Sequence, residues 1–230
     1  GNPITAADVA YSFERAVRLD KSPAFILTQF GLTKDNVTEK AKAVDDNTFV
    51  FTVDKPYAPS FVLNCLTATV AAVVDKKLLE EHAEKVTPTD DYKYDTDYAN
   101  AWLKTKSAGS GPFSIREWRA NEVVILERND NYYGEKAKLK RVFYRHVKES
   151  ATQRLMLESG DVDVARNLEP GDYEAVQKND KLTTVSAAKG TVYYISLNQK
   201  NPNLAKPEVR EAFKYLVDYD AIGSTLIKGI

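Results

Sequence analysis

The order of helical and strand patterns along the 230 residues predicts a mixed α/β (α+β) fold. Three observations carry that expectation. Amphipathic helical stretches occupy both ends of the chain, and alternating strand patterns cluster between residues 113 and 147. Between the two parts lies Ser107-Ala108-Gly109-Ser110-Gly111-Pro112, the strongest loop signal in the sequence.

Thr5-Ala6-Ala7-Asp8 is a helix start, with Thr5 as cap and an acidic group in the first turn where the helix dipole favours it. The helix continues to about residue 19, with Val9, Phe13, Ala16 and Val17 on one face. Pro23 opens a short second helix through Phe30. Residues 41–44 and 48–53 flank the polar turn Asp45-Asp46-Asn47 and predict a hairpin. Pro59 begins an apolar helix, a strand is expected around 69–74, and Asp75 caps a helix over 76–85. Residues 86–98 form a polar excursion carrying Tyr92, Tyr94 and Tyr98, followed by a short helix at 99–104. Strands are expected at 113–118, 122–128 and 141–147, then a helix at 151–159 and a strand at 162–165. A helix at 172–178, strands at 182–187 and 191–198, and helices from Pro207 and from Asp218 complete the chain.

Composition removes several function classes. Thirty-two basic and thirty-three acidic residues give a net charge of -1, without the basic excess that a nucleic-acid surface requires. No apolar run approaches the ~20 residues that span a bilayer, so no membrane insertion is expected. The single cysteine, Cys65, lies in an apolar run and is expected to be buried. His82 and His146 have no His or Cys at metal-ligand spacing, so no metal and no cofactor are expected. Gly109-Ser110-Gly111 lacks the flanking glycines of a nucleophile elbow, and no phosphate-binding glycine loop is present.

Five ordered segments carry a resemblance. They are Gly1-Asn2-Pro3-Ile4-Thr5-Ala6-Ala7-Asp8-Val9-Ala10-Tyr11-Ser12-Phe13-Glu14-Arg15, Gly109-Ser110-Gly111-Pro112-Phe113 with Glu117-Trp118, Leu126-Glu127-Arg128-Asn129 through Tyr132-Tyr133-Gly134, Ser159-Gly160-Asp161-Val162-Asp163, and Val209-Arg210-Glu211-Ala212-Phe213 with Asp218-Tyr219-Asp220-Ala221-Ile222. Together they resemble the family 5 extracellular solute-binding proteins of ABC importers, the dipeptide/oligopeptide type. Tyr133 stands where that pattern usually has Trp, and Tyr219 where it usually has Arg. The resemblance implies a periplasmic-binding-protein-like lobe with a mixed sheet plus a small extra domain. Residues 1–107 would be part of the extra domain, 108–190 part of the first lobe's sheet, and 191–230 the start of the second lobe. It also implies that the chain lacks both ends of such a protein, including any signal peptide.

The function implied is solute capture by hinge closure and delivery to an inner-membrane permease, most of all of peptides, by a periplasmic monomer that is not an enzyme. A nickel complex, haem or a sugar is the alternative solute, and a hydrolase on an α/β scaffold is the distant one. Arg166 and Asn167, after Asp163, and Thr191 and Tyr193, in the strand entering the second lobe, are the ligand-binding candidates by similarity. The aspartate that holds a peptide's amino terminus in such proteins has no counterpart here, and a charge-assisted hydrogen bond contributes roughly 1.5–3 kcal/mol. Calorimetry on the 230-residue chain alone is therefore expected to give dissociation constants weaker than micromolar for di- to pentapeptides. A micromolar or tighter value would place the determinants within residues 1–230.

Overall fold

In the computed structural model, which describes residues 2–187 and 192–226, helix α1 (Ala6–Leu19) starts at a capping box between Thr5 and Asp8. The Thr5 backbone N–H and hydroxyl both donate to Asp8 Oδ2, at 2.7 and 3.0 Å. Asp8 is also part of the tertiary structure. Its Oδ1 accepts the Lys76 N–H at 2.8 Å, although Lys76 lies 68 positions away. One turn on, Ser12 Oγ donates to the Asp8 carbonyl and accepts the Val74 N–H at 3.0 Å. Asp8 and Ser12 are the buried polar side chains of the core, at 7% and 4% exposure. Each is satisfied, as burial of polar groups demands.

The chain divides into two compact units, Gly1–His146 and Val147–Ile230. In the first, one face of α1 packs on two clusters. Phe13, Ala16 and Val17 meet Leu27 of α2 (Phe25–Thr28), Leu32, Val37 of α3 (Val37–Lys40) and Ala41. The hairpin β1 (Ala41–Ala43) and β2 (Phe49–Phe51), paired antiparallel with Ala41 opposite Phe51, adds Phe49 and Phe51 against the Phe13 ring. On the other side Tyr11 joins Leu79 of α5 (Lys76–His82), Tyr98, Ala99 and Ala108. Asp75 caps α5 by accepting the Leu78 N–H at 3.0 Å, receives Asn2 Nδ2 at 2.8 Å, and sends its own N–H to the Ala108 carbonyl.

The tyrosine-bearing excursion is organised by Asp97. Its carboxylate accepts the N–H groups of Glu84, Ala99 and Ala101, each at 2.8 Å. These bonds hold Tyr98 and Ala99 at φ 51° and 53°, a region that side chains with a Cβ rarely occupy. Arg15 Nε donates to the Tyr98 carbonyl at 2.9 Å, and the Arg18 guanidinium lies over the Tyr94 ring. Burial pushes the Tyr11 hydroxyl up to about 12.

A three-stranded antiparallel sheet, β3 (Phe113–Arg119), β4 (Val123–Arg128) and β5 (Arg141–Arg145), closes the first unit in that order, with a bulge between Ile115 and Glu117. Both sheets among the described residues are antiparallel. The second unit contains α6 (Ser150–Ser159), α7 (Pro170–Gln177), α8 (Pro207–Leu216) and the short α9 (Tyr219–Ala221), whose cap Asp218 accepts the Ala221 N–H.

Four expectations fail. Residues 69–74 form a 3₁₀ turn, Thr69–Ala71, instead of a strand, because this run bridges the two clusters and its Val74 N–H is taken by Ser12 rather than by a neighbouring strand. The helix expected at 99–104 is reduced to a 3₁₀ turn, Trp102–Lys104, after two left-handed residues. Cys65 is half-buried, within 3.6 Å of Gln29 Nε2, since α4 (Pro59–Leu66) buries no residue fully. The strands expected at 162–165, 182–187 and 191–198 are absent from the described residues, and residues 188–191 lie outside them. A strand requires a neighbour to take its backbone groups, and the second unit has no strand among its described residues.

Burial pushes the Asp8 carboxyl up, but the Lys76 N–H and the Thr5 N–H and hydroxyl outweigh it and hold it below the usual carboxylate range. A depressed folded-state pKa contributes stability that is present above the unfolded value of about 3.9 and lost as pH falls through the folded value. Asp8→Asn should therefore lower stability at neutral pH and flatten the loss of thermal stability between about pH 4 and pH 2. Asp97, depressed in the same sense, keeps part of that slope. Leu27→Ala, at a fully buried position, should cost about 2–5 kcal/mol in urea unfolding, independent of pH.

Candidate functional site

Two candidate residues sit on a loop whose path is set by helix α6. The helix ends at Gly160, φ 80°, with the Gly160 N–H on the Leu157 carbonyl and the Asp161 N–H on the Met156 carbonyl. Glycine suits this left-handed C-terminal position because it has no Cβ to clash. The chain then returns along the helix in the opposite direction. The Arg166 N–H reaches Gln153 Oε1 at 3.4 Å, and the Glu169 N–H reaches Ser150 Oγ at 2.9 Å. Gln153 uses its other end to hold the Val147 carbonyl at 2.9 Å.

These two anchors create a length mismatch. From Gln153 back to Ser150 the helix advances roughly 4.5 Å at 1.5 Å per residue. Three extended residues, from Arg166 to Glu169, would cover roughly 10 Å. The slack is taken up at Asn167, which adopts φ 56°. Asparagine tolerates the left-handed region better than most residues with a Cβ. The result is a bend that leaves both Arg166 and Asn167 exposed and Leu168 half-buried. The adjoining helix is fixed in turn. Arg154 donates to Asp172 of α7 at 2.9 Å and to Glu158 at 3.0 Å, and hydrogen bonds from Ser150 and Arg154 hold the Asp172 carboxyl below its usual range.

Tyr193 lies in the stretch 192–198, which forms neither helix nor strand. Val192, Tyr193, Tyr194 and Ile195 are 78%, 79%, 82% and 74% exposed. Among the described residues no backbone hydrogen bond involves residues 192–197. Thr191 lies outside the described residues. Arg166 and Asn167 are thus neighbours on one bend, and no hydrogen bond or ring contact among the described residues joins Tyr193 to them. Sequence patterns did not indicate Ser150 and Gln153, which set the bend; their only trace is that the pairs 150/169 and 153/166 run in opposite senses.

A concavity of about 860 Å³ lies in the first unit, where Asn2, Asp75, Ser110, Asn129, Asn131 and Tyr133 line it. Ser110 therefore faces amide, carboxylate and phenol groups, and no histidine lines the space. His82 is stacked on Trp102 at 4.6 Å. Among the described residues no group of three or more His, Cys, Asp or Glu side chains could hold a metal ion. No helix there is long and apolar enough to cross a membrane.

The family described as bacterial extracellular solute-binding proteins, family 5 Middle, matches residues 1–230. The probable D,D-dipeptide-binding periplasmic protein DdpA of Escherichia coli is 31% identical over 229 residues, covering 100% of this chain and 40% of that protein. The oligopeptide-binding protein AppA of Bacillus subtilis is 29% identical over 130 residues, covering 56% of this chain and 24% of that protein. Among solved structures, the periplasmic binding protein DppA from Helicobacter pylori, in complex with peptide STSA, superimposes with a TM-score of 0.72 at 25% identity, covering 94% of this chain and 41% of the other. OppA of Haemophilus influenzae, in complex with RPPGFSPFR, superimposes with a TM-score of 0.72 at 20% identity, covering 100% of this chain and 44% of the other. The chain thus spans about two fifths of the length of the first of these relatives.

The bend at residue 167 should tolerate Asn167→Gly and resist Asn167→Val. A β-branched residue in the left-handed region is expected to lower stability by about 1–2 kcal/mol in urea unfolding, with glycine near neutral.

Proposed function

The chain belongs to the family 5 bacterial extracellular solute-binding proteins, and from that premise we propose that it is the part of a peptide receptor that lines one side of the ligand cleft and that hands its cargo to an ABC import permease. The observation that supports this most directly is the match across all 230 residues, together with a relative at 31% identity whose name specifies D,D-dipeptides. In this reading residues 1–107 are an extra domain, 108–190 belong to the first lobe, and 191–230 enter the second.

The geometry suits the chemistry of peptide capture. An extended ligand satisfies its main chain by adding to a strand with free N–H and C=O groups, while side-chain space remains permissive. Residues 192–197 form no helix or strand, and among the described residues no backbone hydrogen bond involves them. Arg166, Asn167, Thr191 and Tyr193 are the ligand contacts in this reading, with Arg166 and Asn167 presented by the pinned bend. Capture followed by hinge closure requires no bond chemistry. The mature receptor is a monomer outside the cytoplasm, and its partner is the permease.

Calorimetry on the full-length protein tests the reading with D-alanyl-D-alanine and with di- to pentapeptides of L-alanine. At least one series should bind with a micromolar or tighter dissociation constant, and the bound peptide should be recovered uncleaved. Failure of every peptide, with binding of a nickel complex, haem or a sugar instead, would replace the solute class.

A further inference from the structure

We propose that Asp97 is an acid-released latch for the tyrosine-bearing excursion: protonation of its carboxyl group opens residues 84–98 while the rest of the first unit stays folded. The carboxylate closes the base of the excursion and leaves no place for a proton. Its Oδ1 accepts the N–H groups of Glu84 and Ala99, and its Oδ2 accepts that of Ala101, each at 2.8 Å. The Asp97 N–H returns to the Glu84 carbonyl at 2.9 Å, so the two ends of the excursion, 13 positions apart, meet at one residue. A protonated carboxyl group carries an O–H donor on one oxygen. Here a donor already points at each oxygen, so an added proton displaces at least one of the three bonds. The bonds that remain are weaker as well, because they lose the assistance of the charge.

Little else ties the segment down. Among the described residues no backbone–backbone hydrogen bond joins residues 84–98 to any residue before Glu84. The polar ties come from side chains of α1: Arg15 Nε donates to the Tyr98 carbonyl at 2.9 Å, and Arg18 donates to the Tyr98 hydroxyl at 3.0 Å. Opening also relieves the left-handed backbone of Tyr98 and Ala99, which the three bonds onto Asp97 maintain. Burial pushes the Asp97 carboxyl up, but the N–H groups of Ala101, Glu84 and Ala99, with Arg15 of α1 beside them, hold it below the usual carboxylate range. Of the other titratable groups around it, Tyr92 is a neutral phenol whose hydroxyl burial helps push up to about 12, and Glu84 meets Asp97 through its backbone. From α5, Glu80 adds to burial in raising the Tyr11 hydroxyl and His82 stacks on Trp102; neither bonds to Asp97. A depressed carboxyl contributes to closure above the unfolded value of about 3.9, and the contribution is lost as pH falls through the folded value. The open form presents the Tyr11 and Tyr98 rings, which the closed form buries 6.1 Å apart, and frees Arg15 and Arg18 from Tyr98.

The test is hydrogen exchange read by mass spectrometry on the full-length protein, with Asp97→Asn and Asp8→Asn beside the wild type. Exchange is followed from about pH 7 to about pH 2.5 and normalised to the intrinsic amide rates, so that it reports opening alone. In the wild type the opening of residues 84–101 is expected to rise by up to about tenfold per pH unit as pH falls below about 3.9, while amides of α1 and of the β1–β2 hairpin keep their protection. Asp97→Asn, whose amide has one acceptor oxygen at every pH, should show the excursion open already at neutral pH, with no further rise in acid. Asp8→Asn should keep the wild-type rise over 84–101. Loss of protection in α1 at the same pH and to the same extent would mean global unfolding and would overturn the latch. So would an excursion that stays closed throughout, or a wild-type rise in Asp97→Asn. Loss of the rise in Asp8→Asn would assign the acid response to Asp8 and overturn it too. If Asp97→Asn does not fold, the wild-type series and Asp8→Asn decide the matter.

Discussion

The first unit depends on one buried carboxylate. Asp8 caps its own helix through Thr5 and also receives the first N–H of α5 from 68 positions away. Without Asp8, two helix starts would lose an acceptor at a partly buried position. Unmade hydrogen bonds of that kind cost about 1–3 kcal/mol each. Ser12 repeats the arrangement one turn later with Val74, and Asp75 extends it to Asn2 and to Ala108. Three short polar side chains thereby fix the N-terminus of α1 and the entry to α5, and the Asp75 backbone N–H ties in the loop that leads to the three-stranded sheet. The apolar faces of α1 can then pack in a single register on their two clusters.

The second unit achieves its local order differently. It buries little: Val176 is its fully buried apolar side chain among the described residues, whereas Tyr193, Tyr194, Tyr215 and Leu216 stand 76–84% exposed. Its returning chain is longer than the helix beside it. Gln153 and Ser150 fix the ends, and Asn167 absorbs the difference in a left-handed bend.

The elements legible in the sequence were those whose stabilising partners lie within a few residues. Helix α1 follows from Thr5, Asp8 and the spacing of Phe13, Ala16 and Val17; α5 from its cap Asp75; and the hairpin β1–β2 from Asp45-Asp46-Asn47 between alternating arms. Pro59 and Pro207 mark helix starts for the same local reason, a missing N–H that the first turn does not need, whereas α7 begins at Pro170, two residues before the expected start. The family membership was legible as well, because its motifs are short contiguous strings. Apolar runs without a local partner were not legible. Residues 69–74 and 182–187 are equally strand-like by composition, yet strand formation is decided by whether a second strand offers its backbone.

The candidate site divides along the same line. The sequence by itself determined that Arg166 and Asn167 follow the Gly160-Asp161 helix stop, whereas the strand it suggested around Tyr193 is absent from the described residues. Only the tertiary structure decided that Asn167 is left-handed, that Gln153 and Ser150 hold its flanks, and that Arg154 is engaged by Asp172. The reason is the range of the interactions. Caps, turns and helical periodicity act over three or four residues and are written in the local string, whereas the bonds that shape the bend join residues 13 and 19 apart and arise only when the chain has folded back on its helix.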